Sequence, residues 1–180
     1  MEVINTNISG LLIISPSVFE DERGYFYESY NKAIFEKNGI IEEFIQDNQS
    51  KSNKGVLRGM HFQNPPYAQS KLVRVIKGSV LDVALDIRKN SPTYGKYFSL
   101  IIDEYEKKML YIPVGFAHGF LTLEDNTIFT YKCSNKYNKE AEDTLLWSDS
   151  DLNIAWNIAN PTISDKDKKG KPFANFISKF

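Results

Sequence analysis

The chain has 180 residues, 42% hydrophobic and 25% charged, an ordinary composition for one globular domain. Its 22 basic and 23 acidic residues give a formal net charge of -1 and alternate along the chain, which argues against nucleic acid or an anionic membrane as a bulk partner. The single cysteine excludes an intramolecular disulfide and a multi-cysteine zinc site.

The distribution of apolar residues bears on where the protein works. The N-terminus lacks a basic segment followed by an apolar run and a small-residue cleavage site, which is the pattern of a secretory signal. No apolar stretch reaches the roughly 18 residues that a membrane-spanning helix needs. We therefore expect a cytoplasmic protein with a single domain over residues 1–180.

Short runs of aromatic and β-branched residues, broken by glycine, proline and asparagine, dominate the chain and are typical of strands. We predict strands at 11–14, 24–30, 55–63, 71–75, 79–87, 97–102, 108–112, 119–123 and 127–133. The only helix that we predict lies at 31–38 and is ended by Gly39. The lysine-rich tail from Pro161 is expected to lie across the fold. Many short strands with turns between them predict an all-β sandwich or barrel.

The chain has only two histidines, and both lie in blocks that resemble cupin motifs. His118 ends the P-x-G-x-x-H arrangement of the second cupin motif, where the histidine often binds a metal. The first motif would supply two histidines and a carboxylate, but here it reads His61-Phe62-Gln63. Two imidazoles without an acidic ligand make a poor transition-metal site. We therefore predict a cupin barrel and expect no metal.

Four residues are candidates for general acid/base chemistry, which needs a base, a group that orients it, an acid and a cation where charge develops. His61 is the candidate base, and Tyr131 on a late strand is the candidate acid. Lys71 could stabilise an oxyanion, and Asp167 could orient an imidazole. Taken singly, each has a more ordinary interpretation as a structural or surface residue. The hypothesis depends on all four occurring together.

Three cations could hold a pyrophosphate, namely Arg23, Arg58 and Lys166. Each alone is as readily a surface charge. Arg58 precedes His61 by three residues, so a regular strand would place the two side chains on opposite faces. We predict a bulge or turn at Gly59 that brings both inward.

Nine sequence blocks in a fixed order extend over nearly the whole chain. They are FEDERGYFYE at 19–28, QDNQS at 46–50, GVLRGMHFQ at 55–63, KLVRV at 71–75, DVALDIR at 82–88, SPTYG at 91–95, IPVGFAHGF at 112–120, YK at 131–132 and SDKD at 164–167. Together these blocks resemble the dTDP-4-dehydrorhamnose 3,5-epimerases, a family often called RmlC. Any one block alone would be weak support, but all of them occur in register.

The resemblance implies a metal-free, cupin-like jelly-roll β-barrel with a few short helices, usually assembled as a homodimer with exchanged strands. It implies that His61 is the proton acceptor and Asp167 its partner. Tyr131 would be the proton donor, and Lys71 would stabilise an enolate. Contacts with the nucleotide sugar would come from Arg23, Glu28, Gln46, Asn48, Arg58, His118, Glu142 and Lys166, with Phe19 and Phe26 near the base or the sugar.

The implied reaction is inversion of C3 and C5 in a nucleotide-linked 4-keto sugar of the dTDP-4-keto-6-deoxyglucose type, for surface polysaccharide synthesis. The C4 ketone acidifies the hydrogens on both neighbouring carbons, so the reaction needs no redox cofactor. Three alternatives stay open. They are an epimerase of C3 alone, a 3,5-epimerase of a GDP-linked 4-keto-heptose or 6-deoxy-heptose for capsule, and a sugar-nucleotide-binding cupin without catalysis.

Overall fold

Strands make up most of the regular structure in a computed structural model that describes residues 1–180. The elements are β1 Glu2–Asn5, β2 Leu12–Ser15, β3 Phe19–Asp21, β4 Gly24–Phe26, α1 Lys32–Lys37, β5 Gln46–Ser52, β6 Leu57–Gln63, β7 Lys71–Lys77, β8 Ser79–Asp86, β9 Tyr97–Asp103, β10 Met109–Ile112, β11 Phe116–Thr122, β12 Thr127–Cys133 and β13 Glu142–Thr144. Two 3₁₀ turns, Asp167–Lys169 and Phe173–Asn175, lie in the C-terminal tail.

Two antiparallel sheets face each other and enclose the core. One sheet has the strand order β1-β2-β10-β7-β12-β5, and the other has the order β13-β6-β11-β8-β9. Many neighbouring strands are distant in the chain, as in a jelly roll. Val73 and Phe129 of the first sheet pack with Ala84 and Phe120 of the second in a buried cluster between them. The predicted all-β barrel is confirmed.

The five-stranded sheet is covered on both faces, and every residue of β11 is buried. One face looks into the barrel, and the other packs against the C-terminal segment, which contributes Trp156 and Phe176. A parallel bridge between Leu145 and Lys171 attaches this segment to the sheet. The tail from Pro161 therefore lies across the barrel, as the sequence predicts.

Helix α1 covers part of the outer face of the six-stranded sheet. The Asn31 side chain accepts a hydrogen bond from the Ile34 N–H (3.4 Å) and caps the helix at its start. Gly39, at φ +84°, follows its end. Phe35 is buried against the sheet, which explains why this short helix forms where the sequence predicts one. No helix in the structure is both long and apolar enough to cross a lipid bilayer.

One strand prediction was wrong, and one seven-residue strand was missed. The strand expected at 24–30 is limited to Gly24–Phe26, because Tyr27 leaves the hairpin and accepts a hydrogen bond from Arg74 (2.9 Å). Strand β5 was not predicted, because its sequence QDNQSKS has no apolar face. It forms nonetheless, since it pairs with β12 along its whole length at the edge of the sheet. The short strands β1, β3 and β13 were also missed.

Candidate active site

His61 and Asp167 form a hydrogen-bonded pair although they lie far apart in the chain. His61 is on β6, and Asp167 opens the first 3₁₀ turn of the tail. The His61 Nε2 atom is 2.6 Å from Asp167 Oδ1, and the Gly59 N–H donates to Asp167 Oδ2 (3.3 Å). Burial alone would raise the pKa of Asp167, but the hydrogen bond and charge of His61 hold that pKa below its usual value. One imidazole nitrogen thus binds a carboxylate, which leaves the other available as a base.

A bulge in β6 places Arg58 and His61 on the same side. The pairing of β6 with β11 shifts register between His118–His61 and Phe120–Arg58. At the bulge, Gly59 adopts φ +144°, and a Cβ on it would lie 2.5 Å from the Cα of Gly119. This position therefore requires glycine. The bulge predicted at Gly59 is confirmed.

Two concave surfaces meet at His61. The first, which we call the central cavity, has a volume of about 280 Å³ and is lined by Gln46, Asn48, His61, Phe62, Gln63, Gln69, Lys71, Tyr131, Tyr137 and Glu142. The second, the outer depression, measures about 490 Å³ and is lined by Val56, Leu57, Arg58, His61, Thr162, Ile163, Ser164, Lys166 and Asp167. The structure therefore brings together the four residues for which the sequence suggests acid/base roles.

Lys71 and Tyr131 lie opposite His61 in the central cavity. They belong to β7 and β12 of the six-stranded sheet, whereas His61 belongs to the facing sheet. The Lys71 Nζ atom is 6.0 Å from the centroid of the Tyr131 ring. Burial lowers the pKa of Lys71 and raises the pKa of Tyr131. Tyr131 is therefore a protonated phenol at neutral pH, and Lys71 makes no ion pair with any carboxylate in the structure.

His118 lies beside His61 on the neighbouring strand β11, where it is buried and lines neither surface. Its Nε2 atom is 2.9 Å and 3.1 Å from the two carboxylate oxygens of the fully buried Asp82. Burial lowers the pKa of His118, although the Asp82 charge opposes this effect. Its expected contact with a nucleotide sugar stays a prediction.

The donor set does not fit the metal of the cupin motif. Each imidazole is hydrogen-bonded to an aspartate, and the Gln63 amide is bonded to main-chain atoms of two loops. No group of three or more histidine, cysteine, aspartate and glutamate side chains is clustered to hold a metal ion.

An acidic residue links the two surfaces. Glu142 forms an ion pair with Lys166 (2.5 Å) and accepts a hydrogen bond from the Tyr137 hydroxyl (3.0 Å). Burial would raise the pKa of Glu142, but Lys166 and Tyr137 lower it below its usual value. Gln46 accepts from the Tyr137 N–H (2.9 Å) and donates to Asn48 (3.1 Å). These contacts arrange the rim of the central cavity as one polar network.

Four expected binding residues lie away from both surfaces. Strands β3 and β4 pair only with each other, and this hairpin carries Phe19, Arg23 and Phe26. The two phenylalanines are 67% and 68% exposed, and Arg23 pairs with Asp21 of the same hairpin. The fourth, Glu28, is exposed and accepts a hydrogen bond from Asn31. Within one chain, these residues therefore do not reach His61.

The sequence match agrees with this geometry. The family model for dTDP-4-dehydrorhamnose 3,5-epimerase matches residues 5–175. The chain belongs to this family. It is 53% identical over 176 residues to a dTDP-4-dehydrorhamnose 3,5-epimerase of Shigella flexneri, with 97% of each chain covered. The predicted family and the assignment to the isomerases are confirmed.

Solved structures share the fold of the enzyme. A dTDP-6-deoxy-D-glucose-3,5-epimerase of Legionella pneumophila, in complex with dTDP-4-keto-L-rhamnose, is 43% identical with a TM-score of 0.94, covering 98% of this chain and 94% of that one. A 3'-monoepimerase of Streptomyces bikiniensis in complex with dTDP-quinovose is 30% identical with a TM-score of 0.89, covering 95% and 87%. The predicted cupin-like jelly roll is confirmed.

Four cavity residues of the enzyme were not among the candidates, namely Phe62, Gln63, Gln69 and Tyr137. Phe62 and Gln63 follow His61 on β6, and Gln63 stands where the metal-binding motif has its second histidine. That substitution was a signal for Gln63. Gln69 and Tyr137 lie in loops, where the sequence gives no indication of which side chains turn inward.

Asp167→Asn should weaken the dependence of the free energy of unfolding on pH in the acidic range. The pKa of the Asp167 carboxylate is lower in the folded protein than its unfolded value of 3.8. Its pairing with His61 therefore stabilises the fold above pH 3.8, and this stabilisation is lost as the pH falls through the folded pKa. We expect the variant to be less stable than the wild type at pH 7 and to lose less stability between pH 5 and 3. Urea unfolding across this range measures both effects.

Asp165→Asn is the matched control, because Asp165 is 90% exposed and pairs only with Lys168. This control should follow the wild-type curve. An Asp167→Asn curve parallel to the wild type at every pH would contradict the lowered pKa of the buried carboxylate.

Proposed function

We propose that the enzyme inverts C3 and C5 of a dTDP-linked 4-keto-6-deoxy sugar, with His61 as the base, Tyr131 as the acid and Lys71 as the charge that stabilises the enolate. The observation that carries this proposal is the central cavity, into which the two facing sheets direct these three side chains. The product would serve surface polysaccharide synthesis in the cytoplasm, where nucleotide-activated sugars are made.

Proton abstraction is the first step. The free nitrogen of His61 removes the hydrogen from C3 or C5, and the electron pair of that C–H bond moves through the carbonyl onto the C4 oxygen. Asp167 fixes the orientation of the imidazole and stabilises the imidazolium that forms. Either carbanion delocalises onto the same oxygen, so one base can serve both carbons in turn.

Lys71 balances the charge that develops on C4 oxygen. Its ammonium lines the cavity without a carboxylate partner, so a nascent enolate would be its counter-ion. An oriented donor of this kind typically contributes about 10²–10³ in rate. Burial lowers the pKa of Lys71, and the negative charge that develops on the C4 oxygen would favour its ammonium form.

Tyr131 returns a proton to the opposite face of the sugar. Inversion requires that abstraction and reprotonation occur from different sides, and His61 and Tyr131 stand on opposite walls of the barrel. The raised pKa of Tyr131 keeps its phenol protonated until the carbanion needs it. Solvent then restores the proton of the phenolate, and His61 releases its own.

The remaining polar residues would bind the nucleotide sugar. Arg58 and Lys166 line the outer depression, where their charges fit a diphosphate. Gln46, Asn48 and Glu142 line the central cavity and would contact the sugar.

The relatives support dTDP as the nucleotide. The Shigella flexneri relative is named as an epimerase of a dTDP-linked sugar, and the Legionella pneumophila structure contains dTDP-4-keto-L-rhamnose. Because a 3'-monoepimerase shares this fold, inversion of C3 alone is the second candidate.

We propose that the enzyme works as a homodimer with exchanged strands, in which the β3–β4 hairpin of one protomer completes the cavity of its partner. Phe19 and Phe26 are paired across the two strands of this hairpin and are exposed to solvent. Arg23, at the turn of the hairpin, lies away from the cavity of its own chain. A second copy of the chain would cover these rings and receive the arginine and Glu28.

Proton NMR in D₂O tests the reaction and the nucleotide together. Incubated with dTDP-4-keto-6-deoxyglucose, the enzyme should incorporate deuterium at both C3 and C5, because abstraction at either carbon gives an enolate that takes its new proton from groups in exchange with solvent. A GDP-linked 4-keto sugar should exchange at least about tenfold more slowly, as expected when binding contacts are lost. Deuterium at C3 alone would make the enzyme a 3-epimerase. Faster exchange of the GDP-linked sugar would overturn the choice of nucleotide, and no exchange with either would remove the epimerase assignment.

Mixing two inactive variants tests the dimer. A protomer with Arg23→Ala keeps its own His61 but cannot supply Arg23 to the cavity of its partner. A protomer with His61→Asn supplies Arg23 to its partner but lacks the base in its own cavity. After subunit exchange, mixed dimers should contain one intact site, so an equimolar mixture should recover about one quarter of wild-type activity. Recovery of no activity, with exchange verified by sedimentation of tagged chains, would mean that Arg23 serves its own chain or that the hairpin does not bridge protomers.

A further inference from the structure

Gln63 lies in the central cavity but takes no part in the proposed proton transfers. It lies two residues after His61 on β6 and lines the central cavity, yet only 5% of it is exposed. In the metal-binding cupin motif this place belongs to a histidine. A buried amide in a catalytic cavity needs hydrogen-bond partners, since leaving them unmade is costly.

The Gln63 amide is bonded at both of its ends. Its Nε2 group donates to the carbonyl oxygens of Tyr67 (2.6 Å) and Lys136 (3.1 Å). Its Oε1 atom accepts from the N–H of Asn138 (2.7 Å). Gln63 therefore ties the end of β6 to two separate loops, 64–70 and 134–141, that border the cavity.

Two of these bonds flank Tyr137, which is 54% exposed and lines the cavity. The carbonyl before it and the N–H after it bind Gln63, and its own N–H donates to Gln46 (2.9 Å). Its hydroxyl donates to Glu142 (3.0 Å). Three consecutive backbone groups, at Lys136, Tyr137 and Asn138, are thus held by side-chain amides.

We propose that Gln63 is a positioning residue that replaces a metal ligand with a hydrogen-bonded link, holding the 134–141 loop and Tyr137 in the geometry that binds substrate. Two donors and one acceptor in a single planar group are needed, and a primary amide supplies all three. Histidine offers only two ring nitrogens, and an ionised glutamate offers no donor. The predicted changes in KM and kcat rest on the proposed function, whereas the hydrogen-bonded link itself does not.

Hydrogen exchange tests the link without any substrate. Gln63→Met keeps a similar volume but removes all three bonds, so the amide of Asn138 should exchange roughly tenfold faster in the variant. Gln63→Glu keeps an acceptor for that amide but loses both donors, so Asn138 should stay protected. Gln49→Met makes the same chemical change at an exposed position of β5 and should leave the loop unaltered. Mass spectrometry of the peptide 134–141 measures all three.

The kinetic constants separate positioning from chemistry. For both Gln63 variants we expect KM for the dTDP-linked 4-keto sugar to rise roughly tenfold, while kcat stays within about threefold of the wild type. Wild-type exchange in Gln63→Met together with an unchanged KM would overturn the proposal. A collapse of kcat at unchanged KM would also overturn it, by placing Gln63 in the proton transfers. If the wild type turned over no such sugar, the proposed function would fail, and the exchange experiment would still decide the link.

Discussion

The hydrogen bond between His61 and Asp167 is the contact on which the site depends. It joins a strand in the first half of the chain to a turn near its end, so it forms only after the tail has crossed the five-stranded sheet. The bridge from Leu145 to Lys171 and the close approach of Gly170 to the Leu145 backbone fix that crossing. The tail therefore contributes to the proposed active site, because the buried carboxylate that binds His61 comes from it.

The barrel places the proposed acid and the proposed base on opposite walls of one cavity. His61 extends from one sheet, whereas Lys71 and Tyr131 extend from the other, and their backbones are fixed by continuous strand pairing. Burial raises the pKa of Tyr131 and keeps the phenol protonated, whereas it lowers the pKa of Lys71 and so disfavours the ammonium until a negative charge forms beside it. The two-sheet scaffold thus holds these side chains on opposite walls of the same cavity.

The sequence predicted the strands that have an apolar face and the residues whose chemistry is conspicuous. The scarcity of histidine makes His61 a candidate base, and its spacing from Arg58 predicted the bulge at Gly59. Strand β5 escaped prediction because pairing with β12, rather than its own polar sequence, makes it a strand. The hydrogen bonds of Gln63 were also not predicted, because its partners are main-chain atoms of loops whose path depends on the folded barrel. The resemblance named the hairpin residues, but their separation from the cavity depends on how the hairpin leaves the barrel.

The most direct test of opposed acid and base compares His61→Asn with Tyr131→Phe in D₂O, following both deuterium uptake and inverted product from dTDP-4-keto-6-deoxyglucose. The account predicts that His61→Asn abolishes deuterium uptake. Tyr131→Phe should still take up deuterium, because His61 can return a solvent-derived proton to the face from which it came, but it should form little inverted product. Wild-type inversion by Tyr131→Phe, or continued uptake by His61→Asn, would contradict the account.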